Sequence, residues 1–147
     1  MKYLLIIVGV LLLIGLIAFI AMAIQSHKEP KNIGLHNGLL RPCPTSPNCV
    51  CSEAHSQSSA EHAITPIKLA DRDWESIKQI ITAQGGEIQQ ASEGYLHATF
   101  TTPVFRYIDD LELRLDEGQG LIHIRSASRV GRSDFGVNRK RVKRMMQ

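Results

Sequence analysis

The distribution of apolar and polar residues divides the chain into three parts. An uncharged, almost wholly apolar run extends from Tyr3 to Ile24, and a polar stretch without clear periodicity follows it. Regular alternation of apolar and polar residues begins at about Ala63. About 20 apolar residues are enough for a helix to cross a bilayer. The pattern therefore predicts residues 1–24 as a transmembrane anchor or signal segment, 25–62 as a linker, and 63–147 as a folded domain.

Within residues 63–147 the periodicity predicts a short sheet and two helices. A first strand near 63–69 is interrupted by Pro66, and a helix starting at Asp71 or Asp73 ends before Gly85-Gly86. Period-two alternation then predicts four strands, at Glu87–Ala91, Tyr95–Thr101, Ile108–Leu115 and Leu121–Ser126. A turn at 116–120 joins the last two strands as a hairpin, and Ser133 or Asp134 caps a final helix. The order β-α-β-β-β-β-α predicts an α+β fold: an N-terminal transmembrane helix, then a small antiparallel sheet with one or two covering helices.

A proline-rich loop with three cysteines lies inside the predicted linker. It reads Arg41-Pro-Cys-Pro-Thr-Ser-Pro-Asn-Cys49-Val-Cys51, and its prolines favour a rigid, extended backbone. A disulfide from Cys43 to either Cys49 or Cys51 is one interpretation, and free thiols are another. A metal site would have to recruit His36 or His55, and no paired Cys-x-x-Cys supports it. We therefore expect a structural loop with no metal and no cofactor.

Two features of the sequence bear on the cellular location. Ala21-Met-Ala23 resembles a signal-peptide cleavage site, but the apolar run is longer than the 7–15 residues usual in signal peptides, which favours a retained anchor. The positive charges that follow the run would place the domain in the cytoplasm by the positive-inside rule. That rule is weak for a long translocated domain, and the Cys-Pro loop suits an oxidising compartment. We expect a single-pass protein of the cell inner membrane whose domain faces the periplasm or exterior.

The charge is distributed unevenly along the chain. Residues 28–124 carry 8 Lys/Arg against 13 Asp/Glu, whereas residues 125–147 carry 8 against 1. Four arginines surround a Ser/Gly-rich turn that leads into the last predicted helix, and they form a candidate site for an anionic group: Arg125, Arg129, Arg132 and Arg139. Pairing with the acidic part of the domain is the plain alternative. The expected partners are the bilayer, through Tyr3–Ile24, and an anionic lipid or envelope partner. Nucleic acid is not expected, because the basic tail lacks interleaved aromatic residues.

The predicted hairpin brings charged residues of both signs together. If Leu113 faces Ile124, then Glu112 lies opposite Arg125, and Arg114 opposite the histidine of the next strand. The resulting polar patch consists of Asp109, Asp110, Glu112 and His123. Cross-strand pairing on a solvated face is the simplest interpretation. The alternative is an enzyme of unnamed reaction that uses His123 or His97 with Asp109, Asp110 or Glu112.

Several blocks of the sequence resemble a known family. They are Gly34-Leu35 with Gly38-Leu39, Pro42-Cys-Pro-Thr-Ser-Pro-Asn-Cys49, Tyr95-Leu-His-Ala-x-Phe100, Asp109-Asp-x-Glu112 and the long block from Ile122 to Arg139. Over about residues 33–144 the chain is similar to the bacterial domain-of-unknown-function family 1499. The resemblance implies an export-associated or membrane-anchored domain and no established activity. Cys51 departs from the family, which more often has serine there, so the resemblance implies a Cys43–Cys49 bridge and a free Cys51.

Overall fold

The computed structural model describes residues 1–147 and confirms the α+β class. The chain has three α-helices and six strands, α1 (Lys2–Ser26), β1 (Cys49–Cys51), β2 (Ile67–Lys68), α2 (Trp74–Ala83), β3 (Glu87–Ala91), β4 (Tyr95–Thr101), β5 (Ile108–Asp116), β6 (Leu121–Ser128) and α3 (Val137–Met145), and a short 3-10 helix at Ala54–Ser56. The Asp73 side chain caps α2 by accepting the Ser76 amide hydrogen at 2.7 Å, and Asp134 accepts the Asn138 amide hydrogen at the start of α3. Both helices therefore begin close to the predicted residues.

All six strands form one antiparallel sheet. The order is β1-β6-β5-β4-β3, and β2 pairs with β6 on the same side as β1. The hairpin register agrees with the prediction, since Glu112 lies opposite Arg125 and Leu113 opposite Ile124. The first predicted strand is reduced to the two residues of β2, while β1 is a strand that the apolar pattern did not indicate.

One face of the sheet forms the apolar core beneath α2 and α3. Its main buried side chains are Leu96, Ala98, Phe100, Leu111, Leu113, Ile122 and Ile124 from the sheet, Ile77 and Ile81 from α2, and Val142 and Met145 from α3. Helix α2 approaches the sheet so closely at its end that a Cβ on Gly86 would lie 2.6 Å from Phe100 Cζ. The absence of a side chain at Gly86 therefore sets how near α2 and β4 can pack.

The second face of the sheet is also covered, which differs from the solvated face expected from the sequence. Residues 27–48, called here the covering segment, pack across it and lead into β1. The amide hydrogens of Gly34 and Leu40 bond the carboxylates of Glu112 and Glu53 at 2.8 and 3.1 Å. Residues 25–62 therefore belong to the folded structure rather than forming a linker. Apolar periodicity did not reveal this because the segment packs mainly through polar bonds.

The C-terminal end of helix α1 contacts the domain. Ser26 is fully buried, and its hydroxyl accepts the Ile108 amide hydrogen at 2.6 Å. Seven residues earlier in α1, the ring of Phe19 stacks on the ring of Phe105, with 4.8 Å between the ring centres. Helix α1 is long and apolar enough to cross a membrane, and a signal sequence would meet the same two criteria.

Candidate functional site: a polar cavity on the covered sheet face

Alternation along β4, β5 and β6 places charged side chains on the covered face. Its members are His97, Asp110, Glu112, Arg114, His123, Arg125 and Arg129, and most of them are buried. A buried charge is costly unless it is paired and hydrogen-bonded. The pairing of each carboxylate therefore determines what this face can do chemically.

Glu112 is completely buried and fully hydrogen-bonded. Its carboxylate accepts one bond each from the Gly34 amide, the Tyr95 hydroxyl and Arg125 Nη1, all at 2.8 Å. Burial raises the pKa of Tyr95 above its ordinary value, and the charge of Glu112 adds to the shift. Tyr95 thus remains a neutral donor, and Glu112 connects the covering segment to three strands.

Asp110 is held by a second set of donors. Arg129 donates from Nε at 2.8 Å and from Nη2 at 2.7 Å, and His97 Nε2 lies 2.8 Å from the same carboxylate. Burial by itself would raise the pKa of Asp110, but the bonds from Arg129 and His97 outweigh it and the pKa lies below its usual range. Asp110 is therefore ionised at neutral pH and fully occupied by its partners.

Glu53 completes the acidic set, and the sequence pattern did not single it out. Arg114 donates to both of its oxygens, at 2.8 and 3.2 Å, and His123 Nδ1 lies 3.5 Å away. Burial opposes ionisation, but the bonds from Arg114 and the Leu40 amide lower the pKa of Glu53. Because Glu53 follows β1 in an aperiodic stretch, no spacing rule connects it with Arg114, which lies 61 residues later.

The surroundings of His123 do not have the arrangement of a catalytic triad. Ser52 Oγ lies 3.3 Å from His123 Nδ1, the same nitrogen that faces Glu53. A serine–histidine–acid relay needs the hydroxyl and the carboxylate on opposite nitrogens of the ring. The other nitrogen, Nε2, is buried without a hydrogen-bond partner. His123 therefore acts here as part of the packed polar face.

Arg125 has the largest unused hydrogen-bonding capacity on this face. Arg125 is only 3% exposed, and its guanidinium makes a single hydrogen bond, which Nη1 donates to Glu112. The Nε hydrogen is buried without a partner. An unsatisfied buried donor costs about 1–3 kcal/mol, so an acceptor placed beside this guanidinium would be stabilised.

Arg125 lines a cavity of about 200 Å³ near the end of β6, called here the Arg125 cavity. Its other polar walls include Asp110 from β5 and Arg129 just after β6, and Asn32, Ser46 and Asn48 from the covering segment. Asn48 is fixed in place because its side chain donates to the Gly131 carbonyl at 2.7 Å and accepts from the Ser46 hydroxyl. The cavity is therefore small, polar and bounded by donors that are held by the fold.

The structure separates the four arginines that the sequence grouped together. Arg125 and Arg129 line the cavity, whereas Arg132 does not line it and is exposed. Arg139 lies elsewhere and donates to the backbone carbonyls of residues 60, 61 and 63. Its charge is thus used to hold the chain before β2 against α3.

The predicted polar patch is also divided. Asp110, Glu112 and His123 lie on the covered face, but Asp109 points to the opposite face and pairs with Arg141 at 2.6 Å. Adjacent residues of a strand necessarily face opposite sides, so Asp109 and Asp110 could not both belong to one patch. That part of the sequence interpretation was wrong.

A buried network that the sequence analysis missed supports the wall of the cavity from the core side. Asn138 is fully buried, and its side chain donates to the Asn48 carbonyl and the Ser128 hydroxyl, both at 3.0 Å. Arg141 contacts Asn138 and lies 4.3 Å above the Phe100 ring. The i, i+3 spacing of two polar residues on an otherwise apolar helix face was the available indication.

The cysteines are arranged as the resemblance implied. Cys43 and Cys49 form a disulfide, and Cys51 is free and buried. Burial raises the pKa of the Cys51 thiol above its ordinary value. Together with the fold, these features define the class of protein: an α+β domain behind a long apolar N-terminal helix, with a disulfide-closed loop over a buried polar sheet face.

The particular family follows from comparison with known proteins. Residues 39–147 match the family model described as a protein of unknown function, DUF1499. Because this match spans more than half of the chain, the protein belongs to the DUF1499 family, as its sequence blocks indicated. No curated protein and no solved structure matches the chain.

Proposed function

We propose that this protein is a membrane-anchored, extracytoplasmic binding module that holds a small anionic group in the Arg125 cavity. The observation that carries the proposal is the unused donor capacity of the Arg125 guanidinium beside that cavity. An arginine remains protonated at any physiological pH, and its planar fork matches the oxygens of a carboxylate or phosphate.

The charge balance favours recognition by hydrogen bonds over simple attraction. Arg125 is paired with Glu112, and Arg129 with Asp110, so the cavity has little excess positive charge. What it offers an anion is a set of fixed N–H and O–H groups in a partly enclosed site. Such a site selects for the shape of the anion and depends less on salt than an exposed basic surface does.

The proposed location follows from the two ends of the covering segment. It begins at α1, which has the length and composition of a span, and the Cys43–Cys49 bridge joins its far end to β1. Disulfides persist in oxidising compartments such as the periplasm and the cell exterior. We therefore place the domain on the extracytoplasmic side, held at the membrane by α1.

Binding is better supported than the enzymatic alternative. The carboxylates offered as catalytic bases, Asp109, Asp110 and Glu112, each accept strong bonds from arginine. A general base needs a free lone pair within reach of a substrate proton. His97 is bound to Asp110 and is itself buried, which makes a structural role the simpler account.

The experiment is calorimetric titration of the full-length protein in detergent with inorganic phosphate and with acetate. Ala127→Leu should abolish binding because residue 127 lines the cavity and a larger side chain fills it. Arg125→Lys keeps the charge opposite Glu112 but removes the planar fork, and it should weaken binding at least about tenfold, the equivalent of 1.4 kcal/mol. Near-ultraviolet circular dichroism checks that both variants are folded.

Arg132→Ala is the matched control, since it removes one exposed arginine outside the cavity and should bind like the wild type. The proposal fails if the wild type binds neither probe. It also fails if folded Ala127→Leu binds both probes as well as the wild type does.

A further inference from the structure

The contacts between α1 and the domain indicate which part of the helix lies beside the domain. Besides the bond from the Ile108 amide to Ser26, Arg129 Nη1 donates to the carbonyls of Ser26 and Lys28 at 3.3 and 3.4 Å. The Tyr107 hydroxyl reaches the Phe19 carbonyl at 3.4 Å. Phe19, Phe105 and Tyr107 form a continuous aromatic stack, with 4.8 and 5.5 Å between ring centres. These contacts join the C-terminal end of α1, from Phe19 onward, to the domain.

The position of Phe19 in the apolar run sets the level of the membrane surface. The run ends at Ile24, five residues after Phe19, and a helix rises about 1.5 Å per residue. Phe19 thus lies roughly 7 Å below the end of the run, within the hydrocarbon if Tyr3–Ile24 spans a core about 30 Å thick. Phe105 stacks directly on Phe19 and must then lie at the level of the acyl chains in the leaflet nearest the domain.

An apolar groove opens at this same level. It has a volume of about 490 Å³, and its walls come from α1, the loop between β4 and β5, and the turn before α3. Phe19 and Met22 belong to the first wall, Val104 and Phe105 to the second, and Phe135 to the third. We call it the membrane-side groove.

The side chains at the groove are unusually exposed for their type. Val104 is 77% exposed and Phe135 is 88% exposed, although both are large and apolar. Phe135 also has a φ of 54°, a conformation that a bulky side chain rarely adopts. A strained backbone that holds an aromatic ring outward is characteristic of a binding surface rather than of a folding requirement.

We propose that the membrane-side groove holds an acyl chain of a bilayer lipid beside α1. This inference rests on the part of the proposed function that keeps α1 as a span, and it is independent of anion binding in the Arg125 cavity. Lipid is the fitting occupant because one wall of the groove is the span itself. A second copy could reach that wall only by bringing its own apolar surface into the same leaflet.

The test uses the full-length protein reconstituted into phosphatidylcholine vesicles that contain phosphatidylcholine with a diazirine in its acyl chain. After irradiation, mass spectrometry locates the labelled residues. We expect label on α1 and also on residues 102–107 and 130–137. Label on α1 alone would overturn the groove proposal and leave the anchor intact. Label on neither would overturn the anchor, and with it the groove.

A variant tests the specific side chain. Phe135→Asn removes the aromatic wall and suits the positive φ better than phenylalanine does, so folding is not at risk. Label on residues 130–137 should be lost while label on α1 is unchanged. Ile88→Asn, which removes an exposed apolar side chain on β3, is the matched control and should change nothing. Unchanged groove label in Phe135→Asn, or crosslinks between two copies through the groove, would contradict the proposal.

Discussion

At the scale of single residues, the covered sheet face is a set of buried charges that are each neutralised by a specific partner. Glu53 is the best example. Its two carboxylate oxygens accept hydrogen bonds from Arg114, and one of them also accepts from the Leu40 amide, which holds the covering segment to the sheet. Removing one member of a buried pair costs far more than removing an exposed charge, because the other charge is left unpaired. The stability of the domain should therefore depend on the ionisation of a few carboxylates.

We predict that the domain loses stability as the pH falls below about 4.5, the ordinary pKa of a glutamate. The pKa values of Glu53 and Asp110 are lower in the folded than in the unfolded chain, so their contribution is complete above the unfolded values. It is lost as the pH falls through the folded values. Urea unfolding at pH 7, 5, 4 and 3 measures this dependence, and a constant free energy of unfolding over that range would contradict it.

Glu53→Gln should lower the free energy of unfolding at pH 7 by about 3 kcal/mol and flatten its dependence on acid pH. The matched control is Glu75→Gln, which removes an exposed partner of Lys78 and should cost less than about 0.5 kcal/mol. An equal effect of the two substitutions would show that the Glu53–Arg114 pair contributes no more than a surface pair.

At the scale of elements, the sequence correctly predicted the strands and the helix that show a clear apolar periodicity. Strands β3–β6 and helix α2 lie within a residue or two of the expected bounds, and the hairpin register placed Glu112 opposite Arg125. Strand β1 was missed because three residues are too few to show a period. Its partner β6 begins some 70 residues later in the chain.

Only part of the candidate site could be predicted from the sequence, because only its sheet residues lie in a periodic pattern. Alternation put Arg125 on a polar face, but the covering segment that encloses it packs through backbone hydrogen bonds. Any sequence has a backbone, so such bonds leave no mark on the side-chain pattern. The expectation of a solvated face was reasonable for a charged strand surface, and the buried partners of these charges lie too far away in sequence to be recognised.

The contact between α2 and β4 gives a prediction at this scale. A Cβ at residue 86 would lie 2.6 Å from Phe100 Cζ and 2.7 Å from Ile81 Cγ2, so Gly86→Ala should cost about 1–3 kcal/mol in the free energy of unfolding. Gly94→Ala is the control, because its Cβ would meet no atom within 4 Å. Denaturant unfolding of the two variants should separate them, and similar stabilities would mean that α2 can shift to make room.

At the scale of the whole molecule, the C-terminal end of α1 packs against the domain. Phe19 makes one of the joining contacts and lies before the sequence Ala21-Met-Ala23, which resembles a cleavage site. Ser26 and Lys28 make two others and lie after it. Cleavage after Ala23 would remove Phe19, the stacking partner of Phe105. The packing therefore favours retention of α1.

We predict that the mature protein keeps α1 and carries its domain outside the cytoplasm. The intact mass of protein extracted from membranes should include residues 3–24. A C-terminal fusion to a reporter that is active only after export should be active. A mature chain that begins at Ile24, or activity only from a cytoplasmic reporter, would contradict the prediction.

The covering segment also imposes an order on biogenesis. It is synthesised before every strand of the sheet, yet the Gly34 amide donates to Glu112, 78 residues later, and the Lys28 carbonyl accepts from Arg129, 101 residues later. Until β5 and β6 are made, the Gly34 amide and the Lys28 carbonyl lack these partners. The Cys43–Cys49 loop is the exception, because its two thiols are close in sequence and can join at once. The covering segment is therefore made before the sheet but is among the last parts of the domain to reach its final place.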